Sequence, residues 1–129
     1  MPEGVGYGTQ DQFTSAGKTL NVIGNHIYGF SGQVEYTNSE TTFINGETGK
    51  FYSSVYVQFS TLAGSGDDPT VKVYFNGVLV VATAHTGASF ILMPLRVIIP
   101  PLTNVKVTAT NQDSTPIQGF VFIKGRIYK

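Results

Sequence analysis

Few side chains in this sequence have the chemistry of a catalyst, and their spacing argues against one. There are two histidines, His26 in "GNHIYGF" and His85 in "ATAHTGAS". No H-x-H or H-E-x-x-H spacing ties either to a further ligand, so each reads as a turn or edge residue with local hydrogen bonds. Asp67-Asp68 in "GSGDDPT" is the one paired carboxylate. It lacks the alternating Asp/Asn ligands of a calcium loop, and sequence neighbours do not flank a scissile bond at the separation hydrolysis needs. No G-x-S-x-G, P-loop or helix-opening G-x-G-x-x-G occurs. The reading is a protein that is not an enzyme and carries no metal or cofactor.

The closing "GFVFIKGRIY" holds a different chemistry. Val121, Ile123 and Ile127 alternate with Phe120, Phe122, Lys124, Arg126 and Tyr128. Rings interleaved with cations are the means by which single-stranded nucleic acid is held. The formal net charge is zero, however, and the sequence shows no broader basic stripe, so no nucleic-acid partner is expected.

The elements that must position these residues are strands. Apolar residues recur with period two almost throughout, and no segment has the 3.6-residue spacing of an amphipathic helix. The expected strands are Thr19–Ile23, Ile27–Tyr36, Thr41–Ile44, Phe51–Ser60, Val71–Phe75, Val78–Ala84, Ser89–Met93, Leu95–Ile99, Val105–Thr110 and Gly119–Tyr128. Turn residues separate them, among them Asn45-Gly46, Asn76-Gly77 and Thr86-Gly87. Ten short strands at this interval predict an all-β chain: an antiparallel β-sandwich of jelly-roll type with little or no helix. Residues 1–17, with four glycines and no sustained period, read as an N-terminal arm, and residues 18–129 as a single domain.

In "VKVYFNGVLVV" the Asn76-Gly77 pair predicts a type I′ hairpin. A two-residue loop pairs Phe75 with Val78, Val73 with Val80 and Val71 with Ala82 on a core face. The other face then carries Lys72, Tyr74, Leu79 and Val81, an apolar set for an outer face. In "FYSSVYVQFS", Val55, Val57 and Phe59 face the core while Tyr52, Tyr56 and Gln58 face away. A two-sheet sandwich buries only one face of each sheet. The second faces therefore need a long loop, the N-terminal arm or another subunit to cover them. Because rings and arginine are enriched in interface cores, the reading favours a contact surface built from Tyr52, Tyr56, Tyr74, Leu79, Phe120, Phe122, Arg126 and Tyr128. The expected core is Val55, Val57, Phe59, Val71, Val73, Phe75, Val80, Val105, Val107, Val121 and Ile123.

Composition agrees with a protein that works by contact. Of the 129 residues 41% are apolar and only 12% charged, about half the usual charged fraction. Cysteine is absent, which removes disulfides and thiolate metal sites. The most apolar run, "FILMPLRVIIPPL", is broken by Pro94, Arg96 and Pro100, so no membrane partner is expected.

The ordered set "GKTLNVIGNHIYGFSG", "ETTFI", "VKVYFNGVLV", "LRVIIPPLTNVKVTATN" and "GFVFIKGRIYK" resembles small β-sandwich proteins that decorate or cement the capsids of tailed bacteriophages. A looser similarity links "TGKFYSSVYVQFS", the "FNG" hairpin and "GFVFI" to trimeric jelly rolls of the C1q/TNF type, with Ser53-Ser54 where that family has Pro-Gly. The first resemblance implies a virion structural protein, made in the host cytoplasm and bound at the capsid surface to the major capsid protein or other virion subunits. Both imply a homo-oligomer, with a trimer as first choice. The alternative is a carbohydrate-binding or host-adhesion module whose Tyr and Phe stack on sugars, against which the absence of tryptophan counts.

Overall fold

The computed structural model describes residues 19–61, 68–84 and 94–129. The arm of residues 1–17, the strand expected at Ser89–Met93, the Thr86-Gly87 turn, His85 and Asp67 all lie outside the described residues. Ten strands occur within them: β1 (Asn21–Ile23), β2 (His26–Phe30), β3 (Val34–Tyr36), β4 (Thr41–Glu47), β5 (Tyr52–Thr61), β6 (Thr70–Phe75), β7 (Val78–Ala84), β8 (Leu95–Ile99), β9 (Asn104–Thr110) and β10 (Ile117–Tyr128). There is no helix among the described residues.

Two antiparallel sheets form the expected sandwich. One has the order β4-β9-β6-β7, the other β1-β2-β10-β5-β8, with β3 pairing the first residues of β10. From β3 onward the chain changes sheet at every connection except the β6–β7 hairpin, the crossing habit of a jelly roll. The spine is β10, paired with β5 over ten positions from Gly119↔Thr61 to Tyr128↔Tyr52.

Between the sheets the alternation sets the core. Val55, Val57 and Phe59 of β5 meet Val71, Val73, Val105 and Val107 of the opposite sheet, and Val121, Ile123, Ile99 and Ile27 complete the layer, all buried. At one end Tyr36, Phe43 and Phe59 pack edge to face in a ring of three, with centroids 5.5, 5.7 and 5.9 Å apart. The Thr61 hydroxyl is spent on the carbonyl of Gln118 at 3.0 Å, so at 2.7 Å it accepts the proton of the Tyr36 hydroxyl. A buried phenol thus keeps its hydrogen bond, without which its burial would be costly.

Four details depart from the sequence reading. The expected strand Ile27–Tyr36 is interrupted at Ser31–Gln33. Ser31 N still donates to Val121 O at 3.1 Å, but Val121 N donates to the Ser31 hydroxyl at 2.9 Å in place of a backbone carbonyl, and Gly32 turns the chain with a φ of 70°. Asn45-Gly46 is not a turn; both residues lie in β4, opposite Lys106 and Val105. Gly46 is small for another reason: Leu20 passes so close that a Cβ there would meet Leu20 N at 2.7 Å.

The other two concern the hairpin. Asn76 (φ 53°) and Gly77 (φ 82°) form the type I′ turn as expected. Beyond it the pairing skips one residue of β7, so Tyr74 faces Leu79 but Val73 faces Val81. This bulge at Val80 reverses the parity of the strand. Val81 packs against the core, whereas Val80, expected inside, is 44% exposed. A bulge on an edge strand also twists that edge away from further pairing. Phe75, also expected in the core, is only partly buried, beside the turn at the rim.

Candidate functional site

The outer face of the six-stranded sheet is where the side chains with recognition chemistry converge. Its register places them in rows across the strands. One row runs Phe30, Phe122, Gln58, and the next runs Asn21, Tyr28, Lys124, Tyr56, Arg96. A third runs Ile23, His26, Arg126, Ser54, Ile98, and Tyr128 stands opposite Tyr52. Rings and cations thus alternate across strands as well as along them. At paired positions the face carries one acid, Glu35, at its far end opposite Gln118.

The rings are held by each other. Phe122 lies between Phe30 (5.5 Å, 89°) and Phe120 (5.3 Å, 68°), and Tyr28 leans on Phe30 at 5.6 Å. Such tilted and edge-on contacts are the favoured geometry of aromatic pairs. The Arg96 guanidinium sits 5.8 Å from the centre of the Tyr56 ring, and its Nε donates to Ser54 Oγ at 3.4 Å. Even so, the rings stay open to solvent: Phe120 and Phe122 are 37% exposed, and Tyr52, Tyr56 and Tyr128 between 45% and 55%. Several exposed rings thus share one contiguous sheet face, a larger apolar patch than scattered surface residues make.

Six of the eight residues named from sequence, Tyr52, Tyr56, Phe120, Phe122, Arg126 and Tyr128, share this face. Tyr74 and Leu79 do not. They pair with each other on the outer face of the other sheet, where Tyr74 is already engaged. Its hydroxyl donates to Glu40 Oε2 at 2.5 Å, Thr108 Oγ1 donates to the same oxygen at 2.6 Å, and Lys106 Nζ lies 4.7 Å from the Tyr74 ring centre. The hydrogen bonds from Thr108 and Tyr74, aided by Lys72 and Lys106, hold the Glu40 carboxyl below its ordinary pKa against the opposing effect of burial. The bond to Glu40 raises the Tyr74 pKa, so the two shifts agree: the proton belongs to the phenol and the charge to the carboxylate. This cluster is an internal brace of the four-stranded sheet.

Sequence reasoning missed Tyr28, Phe30, His26, Arg96 and Ile98. The period-two pattern of "HIYGF" and "LRVII" was visible, but not that β2 and β8 flank β10 and β5. His26 lies opposite Arg126. Asp68 precedes β6, off this sheet. Among the described residues no three His, Cys, Asp or Glu side chains gather as metal ligands would. A cleft of about 320 Å³ is lined by Val22, Ile27, Phe51 and Ile127 among others.

No protein-family model matches the chain, and no curated protein sequence matches it. Among solved structures, it is similar to a chain in the structure of the Gx strain of infectious bursal disease virus, at 14% identity over 77% of this chain and with a TM-score of 0.49. It is also similar to a chain of the VP2 subviral particle of infectious bursal disease virus, at 12% identity over 81% of this chain and with a TM-score of 0.47. The chain spans about a third of the length of each, 31% and 38%.

Proposed function

We propose that this chain is a non-enzymatic virion structural protein that decorates or cements a capsid, and that it attaches through the outer face of its six-stranded sheet. The observation that carries the reading is that face: six rings at least 37% exposed (Phe30, Phe120, Phe122, Tyr52, Tyr56, Tyr128) on strands whose opposite faces are already buried. Its residue types, Tyr, Phe and Arg, are those that anchor protein interfaces. The sequence resemblance to capsid-decorating sandwiches supports the same role. Repetition of one modest contact over many identical sites suits a cement, since multivalent attachment multiplies affinity without new chemistry.

The test is co-sedimentation with empty capsids from the same source. The wild-type protein should pellet with them, and Phe122→Ser with Tyr56→Ser should stay in the supernatant while still folding cooperatively. Pelleting unchanged by the double substitution would refute attachment through this face.

A further inference from the structure

We infer that the surface docked on this face is an acidic protein surface on a different chain, not the same face of a second copy. The inference rests on the reading of the face as the contact surface and adds the chemistry of its partner. Arg96, Lys124 and Arg126 lie in adjacent rows, with Glu35 the one acid at the paired positions.

Two-fold stacking of the face on itself sets a patch against its own image. A two-fold axis along β10 sets Lys124 and Arg126 against their own counterparts, whereas one across β10 at Phe122 brings Arg126 near Glu35 of the copy but leaves Lys124 against Phe120. Like charges brought together in a desolvated interface oppose association, whereas an acidic surface meets all three cations favourably. The sequence alone gave no such patch, because it shows Lys124 and Arg126 but not that β8 delivers Arg96 beside them.

Nucleic acid and sugars need ring faces to stack on. Here the Phe122 ring sits nearly perpendicular to that of Phe30, at 89°, and at 68° to that of Phe120, while Arg96 lies near the Tyr56 ring. Phe122 therefore shares no plane with either neighbour, and the three rings form no flat platform on which successive bases could stack. The three cations are also too few for a backbone-tracking groove.

A random copolymer of glutamate and tyrosine serves as an acidic, apolar polypeptide probe, with a single-stranded oligo-dT of similar length as its rival. Light scattering of the wild-type protein alone provides the third arm. The copolymer should bind the wild-type protein, weaken about tenfold or more as ionic strength rises from about 0.05 to 0.5 M, and lose about tenfold in affinity with Lys124→Gln/Arg126→Gln. Phe122→Ser, with every charge kept, should also weaken it. Tighter binding of oligo-dT would overturn the inference by assigning the face to nucleic acid. Self-association of the wild-type protein that Phe122→Ser abolishes would overturn it in favour of a second copy. In both cases the face would still be a contact surface. If Phe122→Ser altered neither copolymer binding nor capsid attachment, the contact-face reading itself would fall, and the inference with it.

Discussion

Phe30 and Phe122 stand directly opposite each other on β2 and β10, their rings 5.5 Å apart and at 89°, on the side of the sheet that faces away from the core. On the inner side of the same strands Ile27 and Ile123 are buried. The outer rings therefore add little to the folding of the sandwich, whereas the inner side chains build its core.

Replacement of a ring on each side should separate the two roles. Phe59→Ala should cost about 3–5 kcal/mol in urea melts, as an emptied aromatic site in a core does. Phe122→Ala should cost about 1 kcal/mol, because its ring is already part-exposed. Equal losses would mean that the outer rings are structural.

The hairpin tip is fixed by its backbone and by a neighbour. Asn104 N donates to Asn76 Oδ1 at 2.9 Å, and Asn76 N donates to Asn104 O at 2.8 Å, so the turn is bound to the start of β9. Gly77→Val forces a β-branched residue to positive φ and should cost about 1–3 kcal/mol. Gly77→Asn, which tolerates that region, should cost clearly less. The same loss from both variants would contradict the type I′ assignment.

The brace on the other sheet has a pH signature at both limits. Glu40 is lowered from its ordinary 4.5, so its contribution is complete above that pH and is lost as pH falls through the lower folded value. Tyr74 is raised from 10.0, so its contribution is complete below that pH and is lost as pH rises through the higher folded value. Thermal melts of Glu40→Gln should lie below wild type at neutral pH and converge with it at the acid limit. A constant difference at every pH would show that Glu40 acts by packing rather than charge.

Much of this architecture was legible from sequence because a half-buried strand writes itself in period two. Val55, Val57 and Phe59, or Val121 and Ile123, have only one way to face a core. What failed did so where one residue changed the parity or where a distant segment intervened. Val80 could not be read as a bulge, since a run of Val and Leu satisfies the pattern in either register. Asn45-Gly46 carries the same dipeptide as a true turn, and only Leu20 lying against it explains the glycine. The proposed contact face was half legible for a related reason. Alternation shows which residues share a strand face, but strand order decides which strands share a sheet, and Arg96 and Phe30 joined the face through pairing alone.

Tyrosine labelling, read by mass spectrometry on free protein and on assembled particles, tests the contact face most directly. Tyr52, Tyr56 and Tyr128 are 45–55% exposed and should react readily in the free protein. Tyr36 in the core should not react, and Tyr74 on the opposite sheet should react alike in both states. In the particle, Tyr52, Tyr56 and Tyr128 should become protected together. Unchanged labelling of these three, or protection confined to Tyr74, would contradict the account.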